Sequence, residues 1–312
     1  MIMYSAIVAL NDDEERVEAL VNELHQVLGA LKDDYEIIFV DDGSSDATLE
    51  KLLTVVDHDA RVRVIRMRSR FGEASALNAG LDIARGTTIL YSTSRVRIDF
   101  SGFTALVEKL QDGFDLVFGW RSPRADSRLN RIISRSFNAL TARLSGLKLH
   151  DINSGVMVSR KEVLDSIKIY GEWAHFLPVL AHRQGYRVTE EKIAQRSGRF
   201  RKSRYVGEYL QRLLDIITVI FLSKYSQKPI HFMGFVGLLF ILSGAVIDLY
   251  LFVYRILGLG PIAGRPLLLL GSLLLVIGIQ MVSIGLLGEM IIFTHAGEIQ
   301  EYNIEQIVEK IE

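Results

Sequence analysis

Short, almost wholly apolar runs alternate along the first two-thirds of the chain with segments whose apolar residues recur at helical spacing. Met3 to Leu10 is the first run, and Val17, Leu20, Val21, Leu24, Val27, Leu28 and Leu31 follow at intervals of three and four. Glu36 to Val40 reads as a buried strand ending at Asp41-Asp42-Gly43, with a helix beyond it that Ser45 or Asp46 would cap. Val62 to Ile65, Thr88 to Tyr91 and Asp115 to Phe118 are further strands, with helices over Glu73 to Ala84 and Phe103 to Leu110. Strands alternating with helices predict an α/β fold, a mostly parallel sheet covered on both faces. Ligands of such sheets bind at the carboxyl ends of the strands. Asp41, Asp42 and the segment Ser92 to Arg95 fall at such ends.

The last third has another pattern. Phe232 to Tyr254 is apolar except for Asp248, and Leu267 to Gly288 carries no charge. A membrane span needs about 20 such residues, so the pattern predicts a transmembrane hairpin with both chain ends on one side. Its link, Arg255 to Pro266, is rich in Gly and Pro. Asp248 would lie toward the far end of the first span and reach the interface. Leu210, Leu213, Leu214, Ile217, Ile220 and Phe221 predict an amphipathic helix lying in the interface. Leu129, Ile132, Ile133, Phe137, Leu140 and Leu144 form a second stripe, which fits an interfacial helix or a helix covering the core equally well.

Composition narrows the classes. Of 312 residues 49% are hydrophobic, and the net charge of -1 speaks against a nucleic-acid binder. With no cysteine there is no disulfide, thiolate catalysis or cysteine-ligated zinc. The apolar start is too short, and too soon followed by acids, for a signal peptide. Arg196, Arg199, Arg201, Lys202, Arg204, Arg212, Lys224 and Lys228 precede the first span, which places the first domain and both termini in the cytoplasm. The expected layout is a cytoplasmic domain over 1–204, an interfacial helix over 205–230, two spans over 231–293 and a cytoplasmic tail over 294–312.

Several motifs stand in a collinear order. Phe39 to Thr48 reads FVDDGSSDAT; before it stands VALNDDE, Val8 to Glu14, and after it FGEASALNAGLDIARG, Phe71 to Gly86. Gly119-Trp120-Arg121, Asp151 to Gly155 (DINSG), Ser203-Arg204-Tyr205 and Leu286 to Glu289 (LLGE) follow. Together they resemble the family 2 glycosyltransferases of GT-A fold that act on polyprenyl phosphates, such as dolichyl-phosphate mannosyltransferases and bactoprenol glucosyltransferases. The resemblance covers nearly the whole chain, both spans included. It implies a nucleotide-sugar site formed by Ala9, Asn11, Asp13, Asp41, Asp42, Thr93 and Ser94, with Asp42 first and Asp41 second against base and ribose. A carboxylate at a strand end suits that role because it accepts hydrogen bonds from a ring N–H or a hydroxyl. The family's first motif, V-P-V-Y-N-E-E, is changed here: Ala9 replaces its proline, Asn11 its tyrosine, and Asp12 and Asp13 its asparagine and first glutamate.

The larger departure follows Tyr91. Where the family has D-x-D, this chain has Thr93-Ser94-Arg95, or Ser92-Thr93-Ser94 in a register shifted by one; neither contains an acid, and Asp99 is the nearest. The Mg²⁺ or Mn²⁺ usual in the family would therefore lack its ligands, because hard cations need carboxylate or phosphate oxygens. Arg95 is expected to stand in for the metal as a catalytic cation, with Arg97 beside it, and Asp151 to serve as a site acid. The same resemblance implies that Arg121, Arg131, Arg135 and Arg204 hold the lipid phosphate near the membrane surface. Two functions stay open: transfer of a hexose from a nucleotide sugar to a polyprenyl phosphate at the cytoplasmic membrane face, or a non-catalytic membrane scaffold that keeps the fold. Homo-oligomers are expected from the small residues Gly234, Gly237, Gly244 and Gly278.

Overall fold

The computed structural model describes residues 2–94, 96–122, 142, 146, 147, 149–152, 154–167, 177–196 and 229–295. Two compact units divide the chain, Met1–Ile216 and Ile217–Glu312.

The first unit is built on a seven-stranded sheet in the order β3-β2-β1-β4-β6-β5-β7. Its strands are β1 (Tyr4–Leu10), β2 (Tyr35–Asp41), β3 (Val62–Arg66), β4 (Thr88–Thr93), β5 (Leu116–Arg121), β6 (Val156–Arg160) and β7 (Val188–Ile193). Helices α1 (Val17–Ala30), α2 (Thr48–His58), α3 (Glu73–Ile83), α4 (Gly102–Gln111), α5 (Lys161–Ser166) and α6 (Leu177–Arg183) connect and cover them. All neighbours pair in parallel except β6, which runs antiparallel between β4 and β5. The central strands read as unbroken apolar runs because helices bury both of their faces. Ala6, Val8, Ile37 and Phe39 enter one core with Leu20, Leu24, Leu106 and Val107. Ile7, Ala9, Ile38 and Val40 enter the other with Leu77, Leu81 and Leu164. On that second face α3 comes so close to β1 that a Cβ at Gly80 would lie 2.5 Å from Ile7 Cγ2.

The parallel arrangement carries the ends of β1, β2, β4 and β5 to one edge of the sheet. At the opposite edge Glu36 is buried and accepts hydrogen bonds from the Ser5 hydroxyl (2.7 Å), the Arg85 backbone N–H (2.7 Å) and the Arg63 guanidinium (3.3 Å). Burial opposes its charge, but these donors hold the carboxyl below its ordinary range. One cap differs from expectation. Helix α2 begins after Ala47, and neither Ser45 nor Asp46 is its N-cap. The Asp46 carboxylate instead accepts the N–H of Thr48, two residues later, at 3.0 Å.

In the second unit α7 (Pro229–Ile256) and α8 (Pro266–His295) are long and apolar enough to cross a membrane. They pack as a hairpin. Proline opens each helix, where its missing N–H costs nothing. Helix α7 closes with Gly258 at φ +68°, and the N–H groups of Gly258 and Leu259 return to the carbonyls of Arg255 and Tyr254. Glycines bring the two backbones together. A Cβ at Gly237 would lie 2.7 Å from the Gly278 carbonyl, and one at Gly244 2.6 Å from that of Gly271. Three of the four small residues expected at an oligomer contact are thus used inside the hairpin, while Gly234 faces only Ile230 of its own helix. Asp248 turns toward α8, where Gly271 leaves room for it and the Ser272 hydroxyl donates to its Oδ2 at 3.4 Å.

Candidate active site

Two acidic loops at the ends of β1 and β2 hold each other by reciprocal hydrogen bonds. The backbone N–H of Asp12 donates to Ser44 Oγ (3.0 Å), that of Asp13 to Thr48 Oγ1 (2.8 Å) and that of Glu14 to Asp46 Oδ2 (3.1 Å). In return Asp12 Oδ1 accepts the Ser45 N–H (2.7 Å) and Glu14 Oε2 the Ala47 N–H (2.8 Å). Asn11 Nδ2 donates to the Asp42 carbonyl at 3.0 Å. Asp12 sits at φ +55°, a conformation a short polar side chain tolerates. The acids of VALNDDE and DDGSSD therefore shape one another's backbone.

The aspartate pair divides its work. Asp41 is buried and accepts the Ser44 N–H at 3.2 Å, closing the turn at Gly43. Asp42, expected against base and ribose, is buried too. Its Oδ1 accepts the Phe71 N–H (2.7 Å) and its Oδ2 the Gly72 N–H (3.0 Å). Both carboxylate oxygens thus hold the loop that opens α3, on which the Phe71 side chain is exposed. Nothing in the local sequence signals this, since Asp42 and Phe71 meet only through the parallel register of β2 and β3 and the Met67 N–H to Asp41 carbonyl bond beyond it.

The end of β4 is where a divalent cation would sit. Thr93 is buried and donates its N–H to the Gly155 carbonyl (3.1 Å), while Ser94 donates to that of Ala9 (2.8 Å). Arg16, which the sequence reading did not single out, reaches this point from the start of α1. Its Nη1 donates to the Ser94 carbonyl at 3.2 Å and lies 3.4 Å from Asp13 Oδ1. Burial raises the Asp13 pKa, against the opposing effects of the Ser94 hydroxyl, Arg16 and Arg97. Here the Asp13 carboxylate meets the Ser94 hydroxyl and the Arg16 guanidinium. Among the described residues no group of three or more His, Asp or Glu could hold a metal ion. This donor set does not fit Mg²⁺ or Mn²⁺. Arg95 lies outside the described residues.

At the end of β5 the structure joins two residues that the sequence reading gave separate roles. Arg121 and Asp151 form a buried bidentate pair, Nε to Oδ2 at 2.6 Å and Nη2 to Oδ1 at 2.9 Å. Beside them Trp120 stacks on His150 with ring centroids 4.1 Å apart, and Lys192 Nζ lies 4.9 Å from the Trp120 ring centre. Glu190 binds the His150 ring and accepts the His150 N–H at 2.7 Å. Arg131, Arg135 and Arg204, with both amphipathic stripes, lie outside the described residues.

The first unit is an open, mostly parallel α/β sheet with acidic loops at its strand ends, and solved structures share that fold. Glucosyl-3-phosphoglycerate synthase from Mycobacterium tuberculosis, in complex with Mn²⁺ and UDP-glucose, superimposes with a TM-score of 0.55 at 18% identity, covering 71% of this chain and 79% of that one. The same enzyme with Mg²⁺ and UDP gives 0.54 at 17% over 71% and 79%. The glycosyl transferase family 2 model matches residues 5–168, and the chain belongs to that family. Two curated relatives extend the likeness through the hairpin. A dodecaprenyl-phosphate galacturonate synthase of Rhizobium johnstonii is 32% identical over 93% of this chain and 88% of its own. An undecaprenyl-phosphate 4-deoxy-4-formamido-L-arabinose transferase of Yersinia enterocolitica is 26% identical over 97% and 93%.

Proposed function

We propose that this glycosyltransferase moves a hexose from a nucleotide sugar to a polyprenyl phosphate at the cytoplasmic face of the membrane, with the sheet domain and both termini on that side. The observation that carries this reading is the collinear likeness to two polyprenyl-phosphate enzymes over 93% and 97% of the chain, apolar helices included. Direct displacement fits the chemistry. A phosphate oxygen of the lipid attacks the anomeric carbon as the bond from that carbon to the nucleoside diphosphate breaks. The bonding electrons leave with the diphosphate, and the anomeric configuration inverts. The lipid phosphate is already largely dianionic near neutral pH, its second pKa being about 6, so no general base is required.

Purified chain in detergent, given undecaprenyl phosphate and a panel of UDP- and GDP-hexoses, should convert one donor to a glycosylated lipid detected by mass spectrometry. A folded protein that forms no product with any donor, and is stabilised by none, would favour the scaffold reading. Thr93 and Ser94 in place of carboxylates are the observation behind that alternative.

A further inference from the structure

We propose that Arg16 and Arg97 bind the donor diphosphate at the end of β4 where a divalent cation would otherwise sit, with Asp13 and Arg196 as the residues that position them. This rests on the nucleotide-sugar reading and names how its leaving group is held.

The chemistry requires a cation at this point. As the glycosidic bond breaks, the departing diphosphate gains negative charge, and a preorganised positive group stabilises it at no reorganisation cost. Same-fold structures hold Mn²⁺ or Mg²⁺ together with UDP or UDP-glucose, whereas the donor set here does not fit such an ion. Arg16 is already in place, bridging the Ser94 carbonyl and the Asp13 carboxylate. Arg97 stands just beyond Ser94 on a backbone segment tied to Arg196 at 2.9 Å, near enough for its charge to oppose the rise in the Asp13 pKa. Arg16 and Arg97 thus bring positive charge to the end of β4, where Thr93 and Ser94 are neutral. A guanidinium keeps its charge at any working pH and offers paired N–H donors that match phosphate oxygens.

The segment bearing Arg97 is held on two sides. Its carbonyl accepts the Arg196 N–H at 2.9 Å, Ile98 bridges to Gln195, and the Asp99 N–H donates to the Ala194 carbonyl at 2.9 Å. The Arg196 guanidinium then lies between Glu23 of α1 and Asp99, pairing with Glu23 Oε1 and standing 3.5 Å from Asp99 Oδ1. The β7 continuation and α1, the helix that begins immediately after Arg16, therefore clamp the Arg97 backbone. Without ligand, Asp13 acts as the counter-ion that keeps the Arg16 guanidinium in position.

The test is titration calorimetry of the full chain in detergent with UDP, GDP and the corresponding nucleosides, first in EDTA and then in MgCl₂ or MnCl₂. One diphosphate should bind in EDTA, and metal should change its Kd by less than about threefold. Arg97→Gln and Arg16→Gln should each weaken that diphosphate about tenfold or more, the scale of a charge-assisted hydrogen bond. Nucleoside binding should be unchanged, and Arg97→Lys should recover part of the loss. Arg196→Ala should weaken the diphosphate a few-fold with the apparent Tm preserved, and Arg196→Lys should restore it. Binding that appears only with metal, or that is indifferent to both Arg97→Gln and Arg16→Gln, overturns the proposal and leaves the glycosyltransferase reading intact. Folded protein that binds neither diphosphate in either condition overturns the reading beneath it.

Discussion

Removing Asp151 should cost stability before it costs chemistry. The carboxylate is 2% exposed and its partner Arg121 7%, with two hydrogen bonds of 2.6 and 2.9 Å between them. Taking away one member of a buried pair strands the other charge in the interior, at about 3–5 kcal/mol. For a domain of this size each kcal/mol moves Tm by roughly 2–4 °C, so Asp151→Ala should lower it by about 6–20 °C. Replacing both, as Arg121→Met with Asp151→Leu, should return most of that loss, because an apolar pair of similar volume carries no desolvation penalty. Tryptophan fluorescence at a fixed scan rate reports locally, since Trp120 precedes Arg121 and stacks on His150. The reasoning fails if Asp151→Ala shifts Tm by under about 2 °C while transfer collapses. That outcome would return Asp151 to the role of site acid. A double variant that is stable and still active would place both residues outside the chemistry.

Gly155→Ala should damage the donor site through its neighbour. The residue sits at φ +68° and the new Cβ would lie 2.5 Å from Thr93 Cγ2, so a loss of about 2–3 kcal/mol with weaker nucleotide binding is expected by thermal shift and calorimetry. Gly244→Leu should lower the apparent Tm, because its Cβ meets the Gly271 carbonyl at 2.6 Å, while light scattering finds the oligomeric state unchanged. A changed state with unchanged Tm would move that glycine from the hairpin to a contact between copies. Glu36→Gln should be less stable than the parent at neutral pH. Donors hold the native carboxyl below its ordinary value, so its contribution is present above the unfolded value of about 4.3 and is lost as pH falls through the folded one. The gap between parent and variant in pH-dependent denaturation should narrow progressively as pH falls below about 4.3; a gap constant with pH would show that charge is not what Glu36 contributes.

The strands legible in the sequence were those buried on both faces, such as EIIFV, whose apolar runs need no partner to be recognised. Strand β7 (VTEEKI) was missed because it lies at an edge and carries three charges in six residues, and β6 because five residues reading VMVSR are too short to stand out. The acidic loops stood out in the sequence, but not the hydrogen bonds by which they hold one another. Asp42 has the composition of a ligand contact, yet its oxygens meet backbone N–H groups about thirty residues away, and no local pattern encodes such a pairing. Arg121 and Asp151 are as far apart in the chain. Each alone looks like a charge awaiting a substrate. The glycines of the hairpin show the same ambiguity, because a small-residue face allows close packing without saying which helix takes it.

Whether Thr93 and Ser94 mark a ruined site or a rebuilt one is an electrostatic question. Carboxylates at a metal site are tolerable beside a diphosphate only while the cation is present. Without it, two like charges about 4 Å apart repel by about 4 kcal/mol at an effective dielectric near 20. A site that binds a diphosphate with guanidinium groups must therefore shed those acids, and neutral hydroxyls at the end of β4 are what it needs. A scaffold would need neither the hydroxyls nor Arg16 bridging Ser94 to Asp13. Restoring the acids tests the difference. Thr93→Asp with Arg95→Asp should abolish diphosphate binding in EDTA and make it depend on Mn²⁺, because the new carboxylates both repel the phosphates and supply oxygen ligands. If the double variant binds in EDTA as the parent does, the diphosphate does not lie against the end of β4, and the guanidinium account of this site is wrong.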